Sequence, residues 1–291
     1  MLVNVLANTS NYKEALSQLE AVRTPSEQVK KVYPRILYGR ATELINDGML
    51  VSAYDLLTKA EAYKEQKSLL PYIYFWKGEI AYRINKTDDA IRYYQEYLKN
   101  NLSTGEVSAN NAKYNLAYCY IRKENYKLAL SYLEQLSLTP KAGSASIEQD
   151  IYLRTADCNY MMRDYRKARN AYEKVVSLSW PASDYATFQL AMIEGVSDSK
   201  DKIRRLNDLI RKYPSSSLVQ EANMEIANSY LTEQDFSEAI PYLKSVIADP
   251  VNSLKAPAYL RLGIAYYNSG KNNDALQAYT RLLQLYPNAP E

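Results

Sequence analysis

Six times along the chain a small residue is followed twelve positions later by an alanine: Ala41 and Ala53, Gly78 and Ala90, Ala117 and Ala129, Ala156 and Ala168, Ala227 and Ala239, Gly263 and Ala275. Small side chains at a fixed spacing mark places where two backbones must come close. Their recurrence at a longer, nearly constant period means that one unit is copied end to end. In residues 258–287, Leu262, Gly263 and Tyr266 fall on one helical stripe and Ala275, Tyr279 and Leu282 on another, with a break at Ser269-Gly270 and a closing Pro287. The unit is therefore a helical hairpin. Copies of it predict an all-α solenoid in which each hairpin touches chiefly its neighbours, so function belongs on an extended surface rather than in an enclosed cleft.

The same frame puts second-helix alanines at 15, 53, 90, 129, 168, 239 and 275, in steps of 38, 37, 39, 39, then 71 across two units, then 36. Four positions after them stand Leu19, Leu57, Tyr94, Leu133, Tyr172, Leu243 and Tyr279, the knobs expected between paired helices. The succession of Leu-Gly, Tyr, Ala, an aromatic, an apolar residue and Pro in 258–287 resembles the tetratricopeptide repeat (TPR). The resemblance covers about seven repeats and a fragment, and implies a right-handed superhelical solenoid of about seven helix-hairpin repeats spanning residues 1–291 as a single domain. Asn11 to Val22 reads as a second helix without a full first helix before it, and Tyr286-Pro287-Asn288-Ala289-Pro290-Glu291 looks like the entry to a further repeat, so the chain reads as a segment of a longer array.

Two places depart from the pattern. Residues 139–147, beginning Thr139-Pro140-Lys141-Ala142-Gly143-Ser144, read as an irregular, flexible connector. In the atypical repeat at 184–214, no alanine stands at the crossing after Ala191; the turn is a residue short and Lys202 takes that place. A lysine there must turn outward or snorkel, and this pair is expected to pack less tightly than the rest.

Composition excludes several functions. The chain has no histidine, which removes the commonest zinc ligand and the usual general base. Thirty-six basic against 33 acidic residues leave a net charge of +3, too balanced for a nucleic-acid binder. The cluster Lys200, Lys202, Arg204, Arg205, Arg211 and Lys212, interrupted by Asp201 and Asp208, reads as a solvated face. Cys119 and Cys158 read as small buried apolar side chains without a disulfide. The longest apolar run, Leu69 to Trp76, is eight residues, far short of the roughly 18 of a membrane span. No acid–base pair, phosphate loop or metal set is visible, so no catalytic residue, cofactor or metal is assigned and the chain reads as non-enzymatic.

The TPR resemblance further implies that first helices line a concave groove, at positions three before, one after, and four and five after the small residue. That frame selects Tyr38, Phe75, Glu79, Tyr82, Arg83, Tyr114, Tyr118, Arg122, Leu153, Asp157, Tyr160 and Phe188 as a peptide-binding set. Tyr and Arg are the residues favoured at protein-binding hot spots. Packing against the next repeat is the competing use of the same aromatics. The Lys and Asn clamp of chaperone-tail binders is missing, because the first groove position is aromatic, aliphatic or Met in every repeat. The expected partner is a protein or peptide, with the oligomeric state left open. Tyr213-Pro214-Ser215-Ser216-Ser217 and the final Tyr-Pro segment resemble linkers of TPR proteins of the bacterial cell envelope. They point to the periplasm or the periplasmic face of the outer membrane, with a cytoplasmic regulatory module as the alternative.

Overall fold

The computed structural model describes residues 11–22, 26–63, 66–99, 105–136, 139–250 and 253–288. The expected partial first helix before residue 11 and the residues after 288 lie outside them. Fifteen α-helices are described, and the chain divides into two compact units, 1–138 and 139–291. The first unit holds α1 (Tyr12–Glu20) and three hairpins: α2 (Glu27–Asn46) with α3 (Leu50–Glu61), α4 (Leu70–Arg83) with α5 (Thr87–Lys99), and α6 (Ala109–Arg122) with α7 (Tyr126–Glu134). The second holds four: α8 (Ser146–Met161) with α9 (Tyr165–Ser177), α10 (Ser183–Glu194) with α11 (Ser199–Lys212), α12 (Val219–Thr232) with α13 (Phe236–Ala248), and α14 (Lys255–Asn268) with α15 (Asn272–Leu285). None of these helices is long and apolar enough to cross a membrane.

The crossing residues are where the helices of each hairpin meet. Ala41, Ala53, Ala90, Ala117, Ala129, Ala156, Ala168, Ala227 and Ala239 have no exposed surface at all. Side-chain size is matched across the crossing. A Cβ added at Gly78 would stand 3.0 Å from the Tyr94 ring, and one at Gly263 would stand 2.3 Å from the Tyr279 ring. Alanine serves at the first-helix position where the knob is the smaller Leu57, Leu133 or Leu243. Ala156 opposite Tyr172 is the exception.

Six of the seven described hairpins turn in the same way. Seven positions after the small residue stand Gly48, Asn85, Glu124, Arg163, Gln234 and Gly270, all in the left-handed region with φ between 56° and 76°. The next amide then reaches back to a carbonyl five residues earlier: Met49 to Leu44 and Asn125 to Tyr120 at 2.8 Å, and Asp164 to Asn159 at 2.9 Å. This is the Schellman closure of a helix, and four of the six positions hold a residue with a Cβ.

The atypical hairpin lacks this turn. Asp198, at the equivalent place, has φ −148° and caps α11, its carboxylate accepting from the Lys200 amide at 2.8 Å. Lys202 does snorkel: its stem lies against Gly195, where an added Cβ would meet Cδ at 2.6 Å, and its ammonium reaches Glu225 on α12 at 2.6 Å. Ala191, Leu206 and Leu209 are fully buried at this crossing. Within α11 Arg204 pairs with Asp201 and Arg211 with Asp208, while Arg205 reaches the buried Glu194 of α10.

The connector before α8 is tied down rather than slack. The Trp180 indole, itself buried, donates to the Lys141 carbonyl at 3.0 Å, and the Gln149 amide donates to the Ser144 carbonyl at 2.7 Å. Both cysteines are buried and unbonded, and burial pushes each thiol up to about 12.

Gly263→Ala should lower stability by about 1 kcal/mol even though alanine is the better helix former, because the methyl displaces Tyr279. Adding Tyr279→Leu should recover most of that loss, which urea unfolding of the two single variants and the double variant would measure. Equal and additive effects would show that the two side chains do not share the crossing.

The candidate partner-binding face of the first helices

In the first unit the predicted residues come from α2, α4 and α6. Tyr38 is half-buried; its hydroxyl accepts from the Trp76 indole at 3.1 Å, its ring meets Tyr72 edge-on at 6.2 Å, and burial raises its pKa to about 12. Phe75 does not reach a surface. It is 4% exposed and packs edge-on against Tyr94 and Tyr97, with ring centroids at 5.8 and 5.4 Å. That position faces the hairpin interior here, so Phe75 belongs to the core and not to a groove.

Glu79, Tyr82, Arg83, Tyr114, Tyr118 and Arg122 lie on α4 and α6. The Arg122 guanidinium lies over the Tyr82 ring at 3.8 Å, and its Nη1 donates to the Tyr82 carbonyl at 2.8 Å. Stacking and a backbone acceptor together fix the orientation of an exposed cation. Arg83, also exposed, donates from Nε to Glu79 Oε1 at 2.8 Å. Tyr114 and Tyr118 are half-buried and meet edge-on with centroids 5.0 Å apart. The first unit therefore presents two held arginines and a paired-tyrosine ledge on neighbouring first helices.

In the second unit the predicted residues come from α8 and α10, and they divide differently. Leu153 is 6% exposed and joins an apolar cluster with Ala168, Tyr172 and Leu190. It too is core, for the same reason as Phe75. Phe188 is half-buried against the cluster of Ala191 and Leu206. Tyr160 is half-buried and edge-on to Tyr165 at 5.7 Å. Met161, the next residue, is 50% exposed.

Asp157 and Glu79 have a role the sequence reading missed. Both stand one position after the small residue of their hairpin, and both accept a hydrogen bond from the knob tyrosine of the same hairpin. Tyr94 reaches Glu79 Oε2 at 3.0 Å and Tyr172 reaches Asp157 Oδ1 at 2.6 Å. The following hairpin completes each set: Asn115 of α6 donates to Glu79 at 3.2 Å, and Tyr185 of α10 donates to Asp157 at 3.0 Å. Arg154 pairs with Asp157 Oδ2 at 2.5 Å. Burial and the neighbouring carboxylate push Tyr94 and Tyr172 well above the ordinary phenol range. The sequence did carry the sign. Where the knob is Leu57, Leu133 or Leu243, the position after the small residue is Thr42, Tyr118 or Asn228, and the two carboxylates occur only opposite tyrosine knobs.

A model of the tetratricopeptide repeat matches residues 75–145 and 224–290, and a second model of the same repeat matches 150–182. No curated protein matches the sequence. Among solved structures, the chain is similar to a tetratricopeptide repeat protein from Parabacteroides merdae, at 17% identity over 88% of this chain and 94% of that one, with a TM-score of 0.59. It is also similar to the C-terminal part of a TPR repeat-containing protein from Cytophaga hutchinsonii, at 19% identity over 88% of this chain and 98% of that one, with a TM-score of 0.60. At these identities the likeness is one of fold.

Burial raises the Asp157 pKa above its ordinary 3.8, and the donors from Tyr172 and Tyr185 and the charge of Arg154 offset this only in part. The folded-state value thus exceeds the unfolded one. Stability supplied by the protonated acid is complete below the unfolded value and is lost as pH rises through the folded one. Wild-type stability relative to Asp157→Asn should therefore be greatest in acid and fall as pH climbs above about 4. Denaturant titrations of both proteins at several pH values measure this difference; a difference independent of pH would contradict it.

Proposed function

Because the chain belongs to the tetratricopeptide repeat family, we propose that it is a protein-interaction scaffold whose first-helix face holds an extended segment of another protein. Proteins built this way are typically non-catalytic, and nothing in the arrangement of α4 and α6 suggests acid–base or nucleophilic chemistry. The observation that carries the reading is the surface of the first unit, where Arg122 is stacked on Tyr82 beside the Tyr114–Tyr118 pair. A peptide lying across α4 and α6 would place an apolar or aromatic side chain on the tyrosine ledge. Its backbone carbonyls, or an acidic side chain, would meet the fixed guanidinium of Arg122. Aromatic area with a pre-oriented donor binds at a small cost in entropy. In the second unit Asp157 is engaged in folding the hairpin, which leaves Tyr160 and Met161 as the matching surface.

We place the protein in a bacterial envelope complex, in the periplasm or on the periplasmic face of the outer membrane. The support is the likeness of its Tyr-Pro linkers to those of envelope TPR proteins. Part of that likeness has a local structural use: Ser216 donates to Asp184 at 2.6 Å and anchors the start of α12. A cytoplasmic regulatory module remains the second reading.

Peptides selected from a random displayed library on the purified chain supply a probe for the face. The double change of Tyr114 and Tyr118 to Ala should weaken the selected peptides at least tenfold while the circular dichroism spectrum stays helical. Peptides that bind the double variant as well as the wild type would remove this face as the site.

A further inference from the structure

Charge is spread unevenly over the second helices. On α9, Arg166, Lys167, Arg169 and Lys174 stand against Glu173, and on α11 six cations stand against Asp201 and Asp208. Every other described second helix carries as many acids as cations, or one acid more. Residues 139–291 hold equal numbers of the two, so the excess is one of place. The structure sets the two basic helices side by side. Both pack on α10, whose buried Glu194 they share: Arg169 Nη1 reaches Oε1 at 3.5 Å and Arg205 Nε donates to Oε2 at 2.6 Å. One carboxylate answers two guanidiniums and leaves that junction positive. Arg166, Lys174 and Lys200 are exposed and stand in no ion pair among the described residues. Lys167, Arg204 and Arg211 are exposed too, each paired with an acid three residues away.

A second feature accompanies the same two helices. The turn leading into α9 holds Met162, 45% exposed, and the turn leading into α11 holds Val196, 65% exposed. The turns leading into α13 and α15 are Glu233-Gln234-Asp235 and Ser269-Gly270-Lys271, polar throughout apart from the glycine. In the second unit, apolar tips therefore stand ahead of the basic helices and not ahead of the others. Each lies three residues before its helix begins, at the end where Arg166, Lys167, Lys200 and Arg204 are found.

We propose that α9, α11 and these two tips dock the chain on the surface of an anionic lipid bilayer. A bilayer satisfies both features at once: its phosphate headgroups neutralise the cations, and Met162 and Val196 enter the boundary of the acyl region. A protein partner calls for an apolar or aromatic anchor among the charges, and every fully exposed position of α9 and α11 is polar. A single-stranded nucleic acid calls for rings on which bases stack, and a duplex gives the two apolar tips nothing to enter. The first helices take no part, so this surface is distinct from the peptide face.

Co-sedimentation of the purified chain with lipid vesicles tests this. The chain should bind phosphatidylcholine vesicles containing about 30% phosphatidylglycerol and ignore phosphatidylcholine alone. Raising the salt from about 0.05 to about 0.5 M should release it. A Lys or Arg at such a surface contributes about fivefold to partitioning, so Arg166→Glu with Lys200→Glu should weaken binding at least tenfold while circular dichroism is unchanged. Lys59→Glu with Lys127→Glu, the same charge change at exposed sites on second helices of the first unit, should leave binding within about threefold of the wild type. Met162→Ser with Val196→Ser should weaken vesicle binding but not retention on heparin. The Tyr114 and Tyr118 double variant should bind vesicles like the wild type. A wild type that ignores the anionic vesicles overturns the proposal, as does equal weakening by the Lys59 and Lys127 pair. A chain that passes over vesicles but takes up a duplex oligonucleotide or polyglutamate through Arg166 and Lys200 would assign the strip to another polyanion and equally overturn it.

Discussion

The structure depends on how near two helix backbones can approach at their crossing. That distance is set by a side chain of one or no heavy atoms on the first helix, an alanine on the second, and a knob that fills what remains. When the knob is leucine, alanine suffices on the first helix; when it is Tyr94 or Tyr279, glycine takes the place, because a methyl group would lie within 3.0 Å of the ring or closer. Interiors at native packing density respond to a single methylene, so each crossing is specified by its own few residues. The hairpins can therefore differ elsewhere without losing the fold. Lys202 shows how far this tolerance goes: a charged residue occupies a crossing because Gly195 clears a path for its stem and Glu225 receives its ammonium.

A tyrosine knob brings a hydroxyl into the space between the helices, and a buried hydroxyl needs a partner. Glu79 and Asp157 supply it. Both acids stand on first helices, one position after the crossing residue, and are engaged by the knob of their own hairpin. The neighbouring cations differ in what holds them: Arg83 pairs with Glu79 and Arg154 with Asp157, while Arg122 lies over an aromatic ring. The unusual tyrosine content follows in part, since many rings serve as knobs or edge partners between neighbouring helices.

Hairpin positions and crossing residues were legible in the sequence because they depend on size and period alone. The position three before the small residue was not. A helix advances 100° per residue, so that place lies at the border between groove and interior, and large apolar side chains such as Phe75 and Leu153 turn inward there. The left-handed turn residue was invisible for another reason: Asn85, Glu124, Arg163 and Gln234 adopt a conformation that closure of the helix imposes, with no glycine to announce it. The connector ahead of α8 looked loose because Ala142-Gly143-Ser144 has loop composition, and its anchor, Trp180, lies far along the chain.

If each crossing is set locally, an overpacked one must injure only its surroundings. Ala129 is fully buried where α7 crosses α6, and leucine there should cost roughly 1–3 kcal/mol. Hydrogen exchange resolved by peptide is the most direct measurement. In Ala129→Leu, amides of α6 and α7 should exchange faster, those of α4 and α5 less so, and those of α2 and α3 as in the wild type. A uniform acceleration through all of these helices, or none in any, would contradict a fold built from locally determined crossings.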